Sequence, residues 1–134
     1  MRFNSACIRG RTAAIAIVDA HGELVAFVRL DGVQLNSGPL AVNKAYTAAR
    51  LNRPSRVLGE TVRAKGTDVA FYGDARYVGF GGGMPVRVDG VVAGGVGVSG
   101  LSDDEDEALA ALAMGRGDRA ADLCIVASWP SGSA

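Results

Sequence analysis

Between Ala13 and Val18 the chain sets Ile15 and Ile17 against Ala14, Ala16 and Val18 with no charged side chain, which predicts a strand buried on both faces. Asp19-Ala20-His21-Gly22 follows as a turn, since Asp bonds its own backbone and Gly tolerates positive φ. From Glu23 to Leu30 the two-residue period resumes, with Leu24, Ala26 and Val28 on one face and Val25, Phe27 and Arg29 on the other. These two segments are expected to pair as an antiparallel hairpin. At Pro39 the period becomes helical, and a helix is predicted from Pro39 to Leu51 with Ser37 or Gly38 as its cap. Leu40, Lys44, Thr47, Ala48 and Leu51 share one stripe of it, so Lys44 is a charge on an otherwise apolar face. Arg53-Pro54-Ser55 interrupts the helix, and Ser55 is placed to cap a second one bearing Val57, Leu58, Thr61 and Val62.

Residues 66–83 hold six glycines and little periodicity, which reads as loop with a short strand near Tyr77–Phe80. Strand patterns return at Met84–Val88 and Val91–Ser99, on either side of Asp89-Gly90, a strong signal for a two-residue hairpin turn. Gly94, Gly95 and Gly97 inside the second of these strands call for a bulge, or for another backbone or a ligand packed very close. Ser102 with Glu105 forms a capping box at the head of a third helix, with Leu109, Leu112 and Ala113 as its apolar stripe and Gly115 at its end. Beyond Gly117, Asp118–Leu123 reads as a helical turn and Cys124–Trp129 as a strand.

Composition narrows the class. With 134 residues, 49% of them hydrophobic and 21% charged, the chain suits a single domain over 1–134 and excludes a disordered polymer. Its apolar runs fall short of the ~18 residues of a membrane span, and no secretory leader pattern opens it, so a cytoplasmic protein without membrane attachment is expected. Cys7 and Cys124 make neither a disulfide framework nor a metal knuckle. Nineteen glycines, about twice the usual share, imply many tight turns and close backbone approaches.

The net charge of zero hides a division. Residues 1–65 carry ten Lys/Arg against four Asp/Glu, and residues 66–134 the reverse, including the run Asp103-Asp104-Glu105-Asp106-Glu107. Two solvated faces that pair within the fold explain this most simply, and five repelling carboxylates would need a cation to turn inward. Nucleic acid is not expected as a partner, because no aromatic platform interleaves with the arginines.

Catalytic signatures are missing: there is no GxSxG, HExxH, Walker loop or CxxC, and one histidine cannot make a His-His metal pair. Gly81, Gly82 and Gly83 could offer successive N–H groups to an anion, although the run precedes a strand and so lacks a helix dipole. Lys44 needs a partner if it is buried: Asp31, carbonyls of the Gly81–Gly83 loop, or an anionic ligand. His21 sits in a turn, as a solvent-facing residue or as a ligand.

Taken in order, Val18-Asp19-Ala20-His21-Gly22-Glu23-Leu24-Val25-Ala26-Phe27, Arg29-Leu30-Asp31-Gly32 and Lys44-Ala45-Tyr46-Thr47-Ala48 resemble the GlcG/HbpS-like haem-binding (haem-degrading) domain family, which includes the C-terminal domain of PduO-type proteins. Gly81-Gly82-Gly83-Met84-Pro85-Val86, Gly95-Val96-Gly97-Val98-Ser99-Gly100 and the acidic helix start near Asp103–Asp106 look like its later motifs, so the resemblance spans roughly residues 13–114. It implies an α/β (α+β), profilin-like fold with a central five-stranded antiparallel sheet flanked by helices, assembled into homo-oligomers. Two departures stand out. Only Met1–Thr12 precede the first strand, so the family's long N-terminal helix is expected to be missing or shortened, and a 117–134 tail runs past the usual last helix. An uncovered sheet face would favour self-association.

The resemblance implies a small-ligand-binding protein, with haem among the ligands. Haem needs an apolar slot and an axial donor, and His21 is the strongest donor by ligand chemistry among His21, Cys7, Cys124, Met84, Met114 and the tyrosines. The alternative is an enzyme acting on a small carbonyl or carboxylate metabolite, with Lys44 holding an anion, Asp31 as acid or base, and the N–H groups of Gly81, Gly82 and Gly83 stabilising developing charge. A second alternative is a structural or partner protein whose surfaces serve assembly.

Overall fold

A computed structural model describes residues 11–115. Its elements run β1 (Ala14–Asp19), β2 (Leu24–Arg29), α1 (Ser37–Leu51), α2 (Ser55–Lys65), a 3-10 turn at Val69–Tyr72, β3 (Gly83–Val88), β4 (Val91–Ser99) and α3 (Asp103–Gly115). The strands form one antiparallel sheet in the order β2-β1-β4-β3. Four strands stand among the described residues where five were expected. Tyr77–Phe80 is not a strand, because its backbone groups are taken by helices: Val78 N–H donates to Thr47 Oγ1 (3.0 Å) and the Phe80 carbonyl accepts from Ser55 Oγ (2.7 Å). The family helix before β1, the tail after Gly117, Cys7 and Cys124 all lie outside the described residues.

Alternation along β1 sorts the core into two layers. Ile15 joins Val96, Val98, Leu109, Ala110 and Ala113 in the layer beneath α3. Ala14, Ala16 and Val18 join Ala41, Ala45 and Ala49 in the layer beneath α1. The stripe that α1 lays on the sheet is therefore Ala41, Ala45 and Ala49, spaced by four, and not the predicted line through Leu40 and Leu51, which are only half-buried. Small residues win here because β4 meets them with Gly95 and Gly97. A Cβ on Gly97 would overlap the Ala41 carbonyl oxygen, and one on Gly95 would sit 2.5 Å from that of Ala45. A backbone rather than a ligand is what these glycines admit.

Local chemistry sets the ends of the elements. Asp89 and Gly90 both hold positive φ (52° and 79°), the requirement of the tight hairpin turn that joins β3 to β4. The capping box forms as predicted: Glu105 N–H donates to Ser102 Oγ and Ser102 N–H donates to Glu105 Oε1, each at 3.2 Å. Ser37 and Ser55 are not caps; α1 begins at Ser37 and α2 follows Pro54. Ser55 instead ties α2 to the glycine loop, donating to the Phe80 carbonyl and accepting from Gly83 N–H (2.9 Å).

Candidate functional site

Antiparallel pairing gives the sheet two ends. At one, β1 leaves through Asp19 into the turn that carries His21; at the other lie the start of β1, the end of β2 and Ser99. Strand rise separates these ends by roughly 17 Å. Each end holds candidate residues, and they make two separate sites.

His21 is exposed on a rigid support. Asp19 Oδ1 accepts both His21 N–H (2.9 Å) and Glu23 N–H (3.0 Å), and Gly22 N–H donates to the Asp19 carbonyl (3.0 Å). Arg50 Nη1 holds the His21 carbonyl at 3.1 Å. Gly22 takes φ +90°, and a Cβ there would lie 2.5 Å from the Tyr46 ring, so the turn rests directly on that buried aromatic. Tyr46 is fixed in turn, its hydroxyl donating to Asp74 and its ring facing the guanidinium groups of Arg50 (5.0 Å) and Arg76 (4.2 Å). Burial and then the Asp74 hydrogen bond push the Tyr46 phenol up. Hydrogen bonds from Arg76 first, then from Tyr46, hold the Asp74 carboxyl well below the usual carboxylate range. The imidazole thus projects from a backbone locked by four hydrogen bonds beside a cationic, aromatic cluster.

Lys44 occupies the other end, and its partner is one that the spacing of the sequence did not suggest. Its Nζ donates to Asp106 Oδ2 (3.0 Å) and to the Val98 carbonyl (2.9 Å), with both charged side chains 2% exposed. Asp106 Oδ1 accepts Leu101 N–H at 3.0 Å. Burial pushes the Asp106 carboxyl up, and the Lys44 charge opposes the shift. Asp31 is exposed in the turn after β2 and makes no pair with Lys44.

Gly82 and Gly83 make this reach possible. A Cβ on Gly82 would meet Lys44 Cδ and Asp106 Cβ, each at 3.0 Å, and one on Gly83 would overlap the Lys44 carbonyl. The loop's own donors are largely engaged, Gly81 N–H by Asp103 Oδ2 (3.1 Å) and Gly83 N–H by Ser55. Its glycines clear a path for a lysine stem, and no row of free N–H groups faces an anion.

The acidic run caps α3 and keeps Asp103 and Asp104 exposed, as expected, while one member, Asp106, turns inward and the others find partners at the surface. Asp104 and Glu107 pair with Arg56 (2.7 and 3.0 Å), Glu105 with Arg11, Asp106 with Lys44, and Asp103 with the Gly81 amide. Hydrogen bonds from Arg11 and then Ser102 hold the Glu105 carboxyl down at about 2. The basic first half and the acidic second half are complementary within one chain, and the cation that turns a carboxylate inward is Lys44.

Beside the Lys44–Asp106 pair opens a cleft of about 510 Å³. Its walls come from Thr12 just before β1, the loop after β2, the first turns of α1, Phe80, the β4–α3 connection and the first turn of α3. No histidine, cysteine, methionine or tyrosine lines it among the described residues, so it supplies no ordinary haem ligand. Among those residues no three His, Cys, Asp or Glu side chains converge to hold a metal ion.

Known proteins resemble this chain in sequence and fold. The family described as haem-degrading protein HbpS-like matches residues 3–114. A 15.0 kDa protein of Citrobacter freundii, from the dhaT-dhaS intergenic region, is 35% identical over 104 residues, covering 74% of this chain and 71% of that protein. The corrinoid adenosyltransferase PduO of Salmonella typhimurium is 34% identical over 105 residues, and the match covers 75% of this chain but only 30% of the length of PduO. The crystal structure of a PduOC–haem complex superposes with a TM-score of 0.72 at 30% identity, covering 80% of this chain and 78% of that one.

Proposed function

The chain belongs to the HbpS-like haem-degrading protein family, and on that premise we propose that it is a haem-binding domain whose axial ligand is His21. One observation carries the reading: the single histidine of the sequence stands exposed on a turn fixed by four hydrogen bonds, beside the Arg50 guanidinium. Of the two needs of haem, an axial donor and an apolar slot, His21 meets the first. Imidazole is a strong donor to haem iron, the rigid turn lowers the entropy lost on ligation, and Arg50 supplies a positive charge within reach of a propionate. Exposed Leu24 and Val25 continue the chain just beyond the turn, offering apolar surface to a macrocycle. Bound haem would contribute redox and ligand-binding chemistry at its iron. His21 would hold that iron, Asp19 and Arg50 would hold the His21 backbone, and Tyr46 would support the turn from below.

The domain is further proposed to work as a homo-oligomer. Leu24 and Val25 on edge strand β2, and Val88 and Val91 at the β3–β4 hairpin, are each more than half exposed, and a site open on one side gains enclosure from a second copy.

Titration of haem into purified protein, followed by visible absorbance, tests the assignment. A defined Soret band is expected for the native chain. His21→Ala should shift the band and weaken binding about tenfold or more, with unchanged circular dichroism. An unaltered band in the variant would remove His21 from the site.

A further inference from the structure

The cleft at the opposite end of the sheet has no part in the haem reading, and its chemistry points elsewhere. Its floor is the Lys44–Asp106 pair, whose charges cancel. Asp103, on the wall, adds a negative charge. An anion entering here would find no uncompensated cation and a carboxylate facing it. The hydrogen-bonding capacity of the floor is nevertheless unfilled. An ammonium group has three donors, and Lys44 uses two of them, on Val98 and Asp106. Asp106 receives one hydrogen bond on each oxygen, which leaves a lone pair on each. Buried Ser37 and Ser99 line the same cleft, as does Thr12, whose hydroxyl is shielded from solvent with no partner among the described residues. Leu40 and Leu101 add apolar surface.

We propose that this cleft is a binding site for a small uncharged hydroxylated molecule, a polyol or hydroxyketone, recognised by the Lys44–Asp106 pair and the serines. A hydroxyl group donates and accepts at once, which matches a floor that offers one free donor beside free acceptor lone pairs. A carboxylate accepts only, and would face Asp103 and Asp106. Stability alone does not account for the pair, because a buried ion pair is often no more stable than apolar residues of the same volume. At the floor of an open cleft it fixes a donor and an acceptor in a set geometry.

Amide chemical shifts of the native chain, titrated with glycerol, dihydroxyacetone and glycerate in parallel, test the proposal. Saturable shifts are expected at Gly32–Gln34 and Ser99–Leu101 for glycerol or dihydroxyacetone, with glycerate weaker by about tenfold or more. Ser99→Ala and Ser37→Ala should each weaken the uncharged ligand severalfold without lowering the melting temperature, while His21→Ala should leave this binding unchanged. Equal or tighter binding of glycerate would overturn the proposal. So would an absence of saturable shifts with either uncharged probe, or serine variants that bind as the native chain does. Haem titration of the serine variants separates the two readings, since haem binding is expected to survive in them.

Discussion

Lys44 and Asp106 show how a charge can lie at the centre of an apolar fold. Each satisfies the other and a backbone group besides, so the energetic consequence lies in breaking the pair rather than in making it. Lys44→Met leaves a buried carboxylate alone and is expected to cost about 3–5 kcal/mol at neutral pH, measured by urea unfolding. The pH dependence has a definite sign. Desolvation raises the folded-state pKa of Asp106, so its protonated form favours the fold. In Lys44→Met, stability should accordingly rise as pH falls from neutrality toward the ordinary carboxylate range, and decline again as pH climbs back through the raised value. Lys44→Met combined with Asp106→Leu should recover most of the loss, a coupling visible in a double-mutant cycle. Independent, additive effects would show that the two charges are not paired in solution.

Among the elements, the contact between α1 and β4 depends on small residues on both sides. Ala41, Ala45 and Ala49 face Gly95 and Gly97 so closely that backbone meets backbone. Gly97→Val should lift α1 from the sheet and cost more than ~2 kcal/mol, whereas an added Cβ at Gly90, which meets nothing within 4 Å, should cost only the ~1 kcal/mol of its positive φ. Thermal melts of the two variants check the contrast, and equal shifts would put the cost in backbone conformation rather than in packing. At the head of α3, Ser102→Ala removes one half of the capping box and is expected to cost about 1 kcal/mol. The same change should raise the Glu105 carboxyl modestly from about 2, since it removes the contribution of the Ser102 hydroxyl but keeps the Ser102 N–H and Arg11, as carboxyl NMR titration would report.

Across the whole molecule, opposite charges in the two halves meet through α3, which gathers Arg11, Lys44 and Arg56 from the basic half. Several large apolar side chains stay exposed: Leu24, Val25, Val88 and Val91 at the sheet's periphery, Phe71 in the 3-10 turn, and Leu35 and Phe80 on loops. No helix among the described residues is long and apolar enough to cross a membrane. Self-association is the proposed use of this surface, and sedimentation at micromolar concentration should give a mass at least twice 13.7 kDa. A monomer would remove the proposal. Val25→Lys, on an edge strand and 65% exposed, should shift the equilibrium toward smaller species without unfolding the chain if β2 lies in the contact.

By itself the sequence determined whatever depends on neighbours along the chain. The alternation of Ile15 and Ile17 with alanines specified a strand buried on both faces, Asp89-Gly90 the tight turn between β3 and β4, and Ser102 with Glu105 the start of α3, because period, φ and capping are local quantities. The likeness of ordered motifs to one family was legible too, and the match over residues 3–114 agrees with it. Only the tertiary structure decided which residues meet across the fold. Alanine carries little weight in a hydropathy pattern, so the Ala41-Ala45-Ala49 stripe became visible only against Gly95 and Gly97. The five acids looked alike in a row, and nothing local set Asp106 apart from Asp104. The helix turned one of them toward Lys44, 62 residues away in sequence, and glycines at 82 and 83 left room for the lysine to reach it. The sheet, in the same way, set His21 and Lys44 at opposite ends, because antiparallel strands carry residues close in sequence to ends far apart in space.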